Sequence, residues 1–198
     1  MAGRGAADGG APPLRLDGGA VLRLGLGFGA GLFVWFAFST PYAHAIAAPA
    51  ERLLRAFESP AVTRLSVSPG EFRVDRADFP PDSPRPGLPA GGLHFNFVIL
   101  TALFALGRDP LSSRNVGRFC VAAAALWAIH VLALVFQIEA LYATRLGLWS
   151  EAHYGAFARN FWAAGFHFYE IAGRFAAPFA LWWGLGRTDG WPQGPPRA

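Results

Sequence analysis

The sequence predicts an all-α membrane protein: a four-helix transmembrane bundle with a small extracytoplasmic β-hairpin insertion between spans one and two. Apolar residues make up 53% of the 198 residues and charged residues only 15%, whereas soluble domains carry about a quarter. Several long stretches lack charge altogether, and a helix needs about 20 apolar residues to cross the hydrocarbon of a bilayer. Between the first two stretches lie two alternating runs separated by a turn, which is the pattern of a hairpin.

Four apolar stretches define the predicted transmembrane helices, at residues 21–49, 90–107, 119–139 and 160–186. No charge occurs at residues 24–50, 86–107 or 119–138, whereas the fourth stretch is interrupted at Glu170 and Arg174. The apolar part that follows, residues 175–186, would be about 18 Å long as a helix, too short for a bilayer of about 30 Å. We therefore expect the fourth span to include the charged turn.

Arginine in the flanking segments sets the predicted orientation. The N-terminal segment, the loop at residues 108–118 and the tail at residues 187–198 carry eight Arg and four acids, whereas the opposite segments carry eight of each. Because loops with an excess of positive charge stay in the cytoplasm, we place both termini inside. Residues 1–20 are then a disordered cytoplasmic N-terminus, and residues 140–159 form an extracytoplasmic loop.

The first span raises two alternatives that the sequence leaves open. AHAIAAPA at residues 43–50 offers small-residue cleavage sites of the kind found after a secretory signal, but the apolar run is long for such a signal. GLGFGAG contains the interleaved pairs Gly25/Gly29 and Gly27/Gly31. GxxxG pairs allow two helices to approach closely, although small residues at a helix start have the same appearance.

The segment at residues 50–89 is the largest predicted part outside the membrane. AERLLRAFE at residues 50–58 is amphipathic and is expected to lie as a short helix on the outer membrane surface. AVTRLSV and FRVDRADF flank the turn sequence SPGE and predict a hairpin. Its apolar positions are Leu65, Val67, Phe72 and Val74. A Pro-rich linker then returns the chain to the membrane.

The fourth span contains a predicted intramembrane polar site. His167, Glu170 and Arg174 are spaced i, i+3 and i+7 on one helical stripe, which Asn160 extends. Glu170 and Arg174 have the favourable order for an ion pair. Pro178 cannot donate a hydrogen bond to the carbonyl of Arg174, so a kink is expected there. The site is either buried against a neighbouring helix or partner, or lies at the interface and only fixes helix depth.

Histidines in or beside the spans suggest a second chemistry. His44, His94, His130 and His167 each belong to a different span, and a four-helix bundle of this kind can bind haem or a metal. No accompanying residues that would hydrogen-bond to ligating imidazoles are apparent in the sequence, so we expect no cofactor and no metal site. The single Cys120 opens the third span far along the axis from His130 and is expected to be a buried small residue rather than a nucleophile.

The basic balance does not indicate a nucleic-acid partner. The net charge is +4, but the 17 basic residues are scattered and none of them is Lys. No Ser-His-Asp spacing, Gly-rich phosphate loop or paired catalytic carboxylates occur in the sequence. We therefore expect a protein that is not an enzyme and has no catalytic residues.

The last span also carries a resemblance to a known family. YEIAGRFAAPFALWWGL at residues 169–185 is similar to the Tyr-x-x-x-Gly helix, followed by Pro and a Leu/Trp-rich end, of the exosortase H-associated membrane proteins. The order of the predicted elements resembles that family over roughly residues 20 to 187. These are small bacterial proteins found alongside exosortase, a membrane transpeptidase-like sorting enzyme. The resemblance implies an accessory role in surface-protein sorting and no activity of its own.

These observations predict a non-enzymatic accessory protein of the bacterial inner membrane. Its expected partners are the lipid bilayer and another membrane protein, for which the resemblance suggests an exosortase. Two alternatives remain at this stage. One is a haem- or metal-binding redox subunit that uses the histidines, and the other is a small transport component with Glu170 and Arg174 in a polar pathway.

Overall fold

The computed structural model describes residues 18–79, 82, 85–107 and 109–186, and most of these are helical. Among the described residues, two helices are long and apolar enough to cross a membrane, Gly18–Phe57 and Ser113–Thr144. The elements in chain order are α1 (Gly18–Phe57), β1 (Thr63–Ser68), β2 (Glu71–Arg76), β3 (Gly87–Pro89), α2 (Ala90–His94), α3 (Asn96–Ala105), α4 (Ser113–Thr144), α5 (Leu148–His153), α6 (Ala156–Phe168), a π-helical turn (Tyr169–Gly173) and α7 (Arg174–Gly186).

The helices differ from the predicted spans in length and continuity. The first and third predicted spans lie within α1 and α4, which extend beyond them at both ends. The second is shorter than predicted and is divided into α2 and α3, and the fourth is divided by the π-helical turn. A four-span bundle therefore stays a prediction. Residues 1–17, residue 108 and the predicted tail at residues 187–198 lie outside the described residues.

The amphipathic segment at residues 50–58 was predicted to form a separate surface helix. Instead, it continues α1 to Phe57. Its apolar side chains also do not share one environment, because Leu54 is buried while Phe57 is 84% exposed. The carboxylate of Glu51 accepts a hydrogen bond from the Leu65 backbone N–H at 2.8 Å. The end of α1 is thus attached to β1.

The predicted hairpin is part of a three-stranded antiparallel sheet. β1 pairs with β2 with Leu65 opposite Val74 and Val67 opposite Phe72, so the predicted apolar positions share one face. Phe72 and Val74 are fully buried. The third strand, β3, comes from the segment predicted as a Pro-rich linker and pairs with β2. This third strand stabilises the hairpin, since an isolated two-stranded hairpin is only marginally stable.

The helices pack side by side in a closed arrangement. α3 packs against α1 and α7, and α4 packs against α1, α6 and α7. The approach of α1 to α3 depends on Gly27 and Gly31, because a Cβ at either position would meet α3. The other glycine pair, Gly25 and Gly29, has open space around it. One of the two predicted GxxxG pairs therefore makes the close helix contact and the other does not.

Two apolar cores occupy the two ends of this arrangement. One lies where the second half of α1 and of α4 meet the sheet, with Ile46, Leu134 and Ile138 fully buried. The other joins α3, α4 and α7 around Leu100 and Leu126. Cys120 takes part in neither core. It is exposed, contrary to the prediction of a buried residue, because it lies on a face of α4 that no described element covers.

The last helical segment departs from α-helical geometry near the predicted kink. The π-helical turn Tyr169–Gly173 ends directly before Arg174, whose carbonyl lacks its α-helical donor because Pro178 has no N–H. Such turns use i→i+5 hydrogen bonds and occur often at functional sites. The wider turn rotates the residues before it relative to those after it, which changes the faces that the sequence spacing predicted.

Candidate functional site

A chain of hydrogen-bonded polar side chains crosses the interior between the helices. The hydroxyl of Tyr42 on α1 lies 2.8 Å from Nδ1 of His130 on α4. Nε2 of His130 lies 2.7 Å from Oδ1 of Asn96 on α3. The amide of Asn96 reaches the hydroxyl of Tyr169 at 3.4 Å, and that hydroxyl donates to the carbonyl of Leu93 at 2.7 Å. The chain joins five separate helical elements.

The donors and acceptors of this chain can be assigned in one consistent direction. Because the Asn96 carbonyl oxygen only accepts, His130 donates from Nε2, and the Nδ1 of the neutral ring then accepts from Tyr42. Asn96 then donates to Tyr169. His130 and Asn96 are fully buried, and both ring nitrogens of His130 are used. A fully satisfied buried network of this kind stabilises one unique packing of the helices.

A second buried histidine is only half satisfied. Trp35 donates from its indole N–H to Nδ1 of His94 at 2.9 Å, and since indole can only donate, the His94 proton must be on Nε2. That Nε2 is buried and has no hydrogen-bond partner among the described residues. Leaving a buried donor unpaired costs about 1–3 kcal/mol. His94 also lies edge-on to Tyr42, with 5.5 Å between ring centroids, so it adjoins the polar chain.

The predicted site on the last helix is assembled in part. Nη2 of Arg174 donates to Oε1 of Glu170 at 2.6 Å, so the i,i+4 ion pair is present. Its side chains are 25% and 33% exposed, respectively. His167 is exposed and is not brought to the pair, because the π-helical turn removes the regular helical stripe on which the spacing argument depended. Asn160 is also exposed.

Only two of the four histidines proposed as haem or metal ligands come together. His94 and His130 both contact the ring of Tyr42, whereas His44 and His167 are exposed elsewhere. Together His94 and His130 offer a single ring nitrogen that is not already hydrogen-bonded. Within the residues that the structure describes, no group of three or more His, Cys, Asp or Glu side chains is placed to hold a metal ion.

A polar cluster outside the helix-packing region attaches the sheet to the helices. Arg76 on β2 is 9% exposed and binds Glu58 at 3.0 Å and Asp78 at 2.9 Å. Its guanidinium lies 4.8 Å from the ring centroids of both Tyr142 and Trp149. Arg suits such a position because its planar, weakly hydrated guanidinium stacks on aromatic faces while donating hydrogen bonds. The cluster therefore joins α1, the sheet, α4 and α5.

The titration of this cluster follows from its contacts. Burial opposes the charged form of Arg76, but the hydrogen bond and the charge of Asp78 raise its pKa above the usual range. The hydrogen bond from Arg76 lowers the pKa of Asp78. Burial, followed by the hydrogen bond to Glu139 at 2.7 Å, raises the pKa of Tyr154. The Arg76–Asp78 pair is thus charged across the neutral pH range, and its contacts hold the sheet against the helices.

Sequence reasoning missed most of the buried chain. Nothing in the sequence analysis singles out Tyr42, Asn96 or Trp35, and Tyr169 enters it only as part of the family resemblance. Of these, Asn96 carries the clearest signal in the sequence, because an amide in a charge-free apolar stretch needs an internal partner. The partners themselves lie 34 and 73 positions away in the chain, which no local pattern reveals.

The fold and its polar interior define a mostly helical protein with a small three-stranded sheet and two helices long and apolar enough to cross a membrane. Comparisons with protein-family models, with curated proteins and with solved structures give no match.

Proposed function

We propose that this chain is a non-enzymatic accessory protein of the bacterial inner membrane that associates laterally with another membrane protein. The observation that carries the proposal is the Glu170–Arg174 ion pair on an exposed apolar face. The pair is one-quarter to one-third exposed, and it is flanked by Ile171 and Phe175, which are 77% and 53% exposed. A neighbouring helix that covers this face would remove the pair from lipid.

The energetics of charge in hydrocarbon support this assignment. A single charged side chain at the bilayer centre costs about 2.5–3.5 kcal/mol on insertion scales, so such residues usually face protein. The guanidinium of Arg174 already lies against Gly92 of α2, where a Cβ would be 3.1 Å from Nη2. Its buried Nε has no partner among the described residues. One side of the ion pair is therefore covered by this chain. On the other side, a helix of the partner protein would shield the pair from lipid.

The arrangement of the remaining polar groups agrees with a role in binding instead of catalysis. His130 and Asn96 are fully buried, and the hydrogen bonds of His130 are saturated. A general base must reach a substrate proton within hydrogen-bond distance, and this imidazole is already occupied on both nitrogens. The network is well suited to holding α1, α3 and α4 in a fixed arrangement that presents the face of α7.

The identity of the partner rests on the resemblance of residues 169–185 to the exosortase H-associated membrane proteins. We propose an exosortase-type sorting enzyme as the protein that covers Glu170 and Arg174. In this arrangement both termini are cytoplasmic and the sheet is extracytoplasmic. Reporter fusions after Gly107 and after Arg145 test the orientation: the first is expected in the cytoplasm and the second outside, and the reverse result overturns the topology.

Site-specific photo-crosslinking in native membranes tests the association itself. A photoreactive residue at Ile171 or Phe175 is expected to give a crosslink to a second polypeptide. The matched control is Phe33, which is 73% exposed but lies on α1, away from the ion pair. Crosslinks that are absent from the ion-pair face, or equally frequent from Phe33, contradict lateral association. If the captured protein has no role in sorting, the exosortase assignment fails while the association stands.

A further inference from the structure

A groove of about 370 Å³ lies where the start of α1, the end of α3 and the start of α4 meet. Its volume falls within the range of about 300–1,000 Å³ that is usual for small-ligand sites. Most of its lining is apolar and includes Leu26, Ala30, Phe104, Leu111 and Phe119. The groove shares no lining residue with the Glu170–Arg174 face or with the buried polar chain.

Among the described residues, three polar side chains line this groove, and two of them are hydrogen-bonded within the chain. Thr101 donates to a carbonyl of its own helix at 2.9 Å. The amide of Asn115 donates to the carbonyls of Phe104 and Pro110 at 3.3 and 2.9 Å. Arg23, the third, makes no hydrogen bond or ion pair with the described residues. The groove therefore has one cationic group whose donors are not used.

The guanidinium of Arg23 is covered on one side only. The side chain is half-buried, and of its three guanidinium nitrogens only Nε is both buried and unpaired. The two terminal nitrogens therefore keep accessible surface. A charge held against apolar surface without a counter-ion is unfavourable, and the planar guanidinium fork matches the oxygens of a phosphate group. An anion outside Nε, on the terminal nitrogens, would pair this charge.

The groove extends from Arg23 into the apolar part of α1. Leu26 and Ala30 follow Arg23 at i+3 and i+7 on the same helical face, and Ala30 lies about 10 Å further along the axis. Arg23 directly precedes the charge-free residues 24–50. In an α1 that crosses the membrane, Arg23 thus lies at one interface and Ala30 lies in the hydrocarbon, which is about 30 Å thick. At the rim, Leu26 and Leu111 are 65% and 89% exposed, so the groove is open to lipid.

We propose that this groove binds one anionic phospholipid from the leaflet in which Arg23 lies. The terminal nitrogens of Arg23 donate to a phosphodiester oxygen at the mouth of the groove, and one acyl chain lies along Leu26, Ala30 and Phe119. A zwitterionic phospholipid offers the same phosphate, but its own cation competes for it. This inference shares only the membrane location with the proposed function. It depends neither on the orientation nor on the protein partner, so its failure would leave the lateral association standing.

The test measures binding of the first lipid to the full chain, released from alkyl maltoside micelles, by native mass spectrometry. Phosphatidylglycerol, phosphatidylcholine with the same acyl chains, and glycerophosphoglycerol, which is the anionic head group without the chains, are titrated separately. Phosphatidylglycerol is expected to bind about fivefold more tightly than phosphatidylcholine, and the head group alone is expected to bind more weakly than either lipid. Equal affinities for the two lipids, or a head group that binds as tightly as the intact lipid, overturn the proposal.

Two matched pairs of variants locate the site. Arg23→Gln is expected to abolish the preference for phosphatidylglycerol, whereas Arg64→Gln removes the same charge from an exposed position on β1 and should leave the preference unchanged. Ala30→Phe fills the groove and is expected to weaken binding of both lipids, whereas Ala37→Phe adds the same side chain at an exposed position of α1 outside the groove. Unchanged binding in Arg23→Gln or Ala30→Phe, or equal losses in the two controls, contradicts the site. The wild-type titrations decide the matter if a variant does not fold.

Discussion

The two interleaved glycine pairs of α1 offer a sharp test of the helix packing. A Cβ at Gly31 would lie 3.0 Å from Thr101 Cβ and 3.2 Å from Val98 Cα, and a Cβ at Gly27 would overlap Ala105. At Gly25 and Gly29 no atom lies within 4 Å of the added carbon. Alanine at Gly27 or Gly31 therefore forces α1 away from α3, whereas alanine at Gly25 or Gly29 changes the helix backbone alone.

The comparison of the two pairs isolates the packing contribution. Every Gly→Ala change raises intrinsic helix propensity by about 0.8–1 kcal/mol, so this gain is common to both pairs and cancels in the difference. Overpacking a close contact costs about 1–3 kcal/mol. We expect Gly27→Ala or Gly31→Ala to be less stable than Gly25→Ala or Gly29→Ala by that amount, which is about a 5- to 150-fold difference in the unfolding equilibrium.

The measurement is reversible unfolding in mixed micelles, with the same detergent composition for all four variants. Helical content at low denaturant serves as the folding control, and the two exposed-face variants provide the baseline. Equal stabilities for the two pairs would refute the close α1–α3 contact. A larger loss at Gly25 and Gly29 than at Gly27 and Gly31 would place the packed face of α1 on the opposite side from the one described.

Three further predictions concern charge and backbone. Glu170→Gln or Arg174→Leu alone is expected to lower stability in micelles by about 1–3 kcal/mol, less than a fully buried pair because both side chains are partly exposed. Replacing both residues by Leu should recover most of this lost stability. Single substitutions that leave stability unchanged would place the pair in water. Arg76 lowers the pKa of Asp78, so their ion pair stabilises the folded protein fully above the unfolded-state pKa of Asp78, about 4. This stabilisation is lost as the pH falls through the folded-state pKa of Asp78. Urea unfolding across this range should show the loss, under about 1 kcal/mol, and Asp78→Asn should abolish that pH dependence; an unchanged profile contradicts the contact. Gly70 has φ +80° with open space around it, so Gly70→Ala should cost about 1–2 kcal/mol from the backbone alone, with Gly70→Asn costing less in the same thermal-melting assay; a neutral Gly70→Ala would contradict the positive φ.

Element type was predicted well wherever the local pattern was strong. The alternation around SPGE fixed both strands and their apolar face, and the positive φ of Gly70 fits the third position of a turn that begins with Ser68 and Pro69. The third strand was missed because Gly87–Pro89 is short and follows a Pro-rich stretch. Its pairing with β2 depends on an edge that exists only after the hairpin has formed.

The site illustrates the same limit at the level of side chains. The ion pair of Glu170 and Arg174 could be predicted because both partners lie on one helix, four residues apart. His167 could not be placed correctly, because the π-helical turn that displaces it has no clear local signal apart from Pro178. The contact of Tyr42 with His130 spans 88 positions, and only the packing of α1 on α4 brings these residues together.

The sequence by itself determined the helical, membrane-type composition, the hairpin and the ion pair, because each follows from side-chain character and short-range spacing. The tertiary structure alone decided which glycine pair meets α3, where β3 adds to the sheet, and which histidines meet in the interior. The physical reason is that these features depend on the relative position of elements distant in the chain. A hydrogen bond such as that between His130 and Asn96 forms only when helix packing brings its donor and acceptor atoms within about 3 Å of each other. The identity of either residue does not specify its partner.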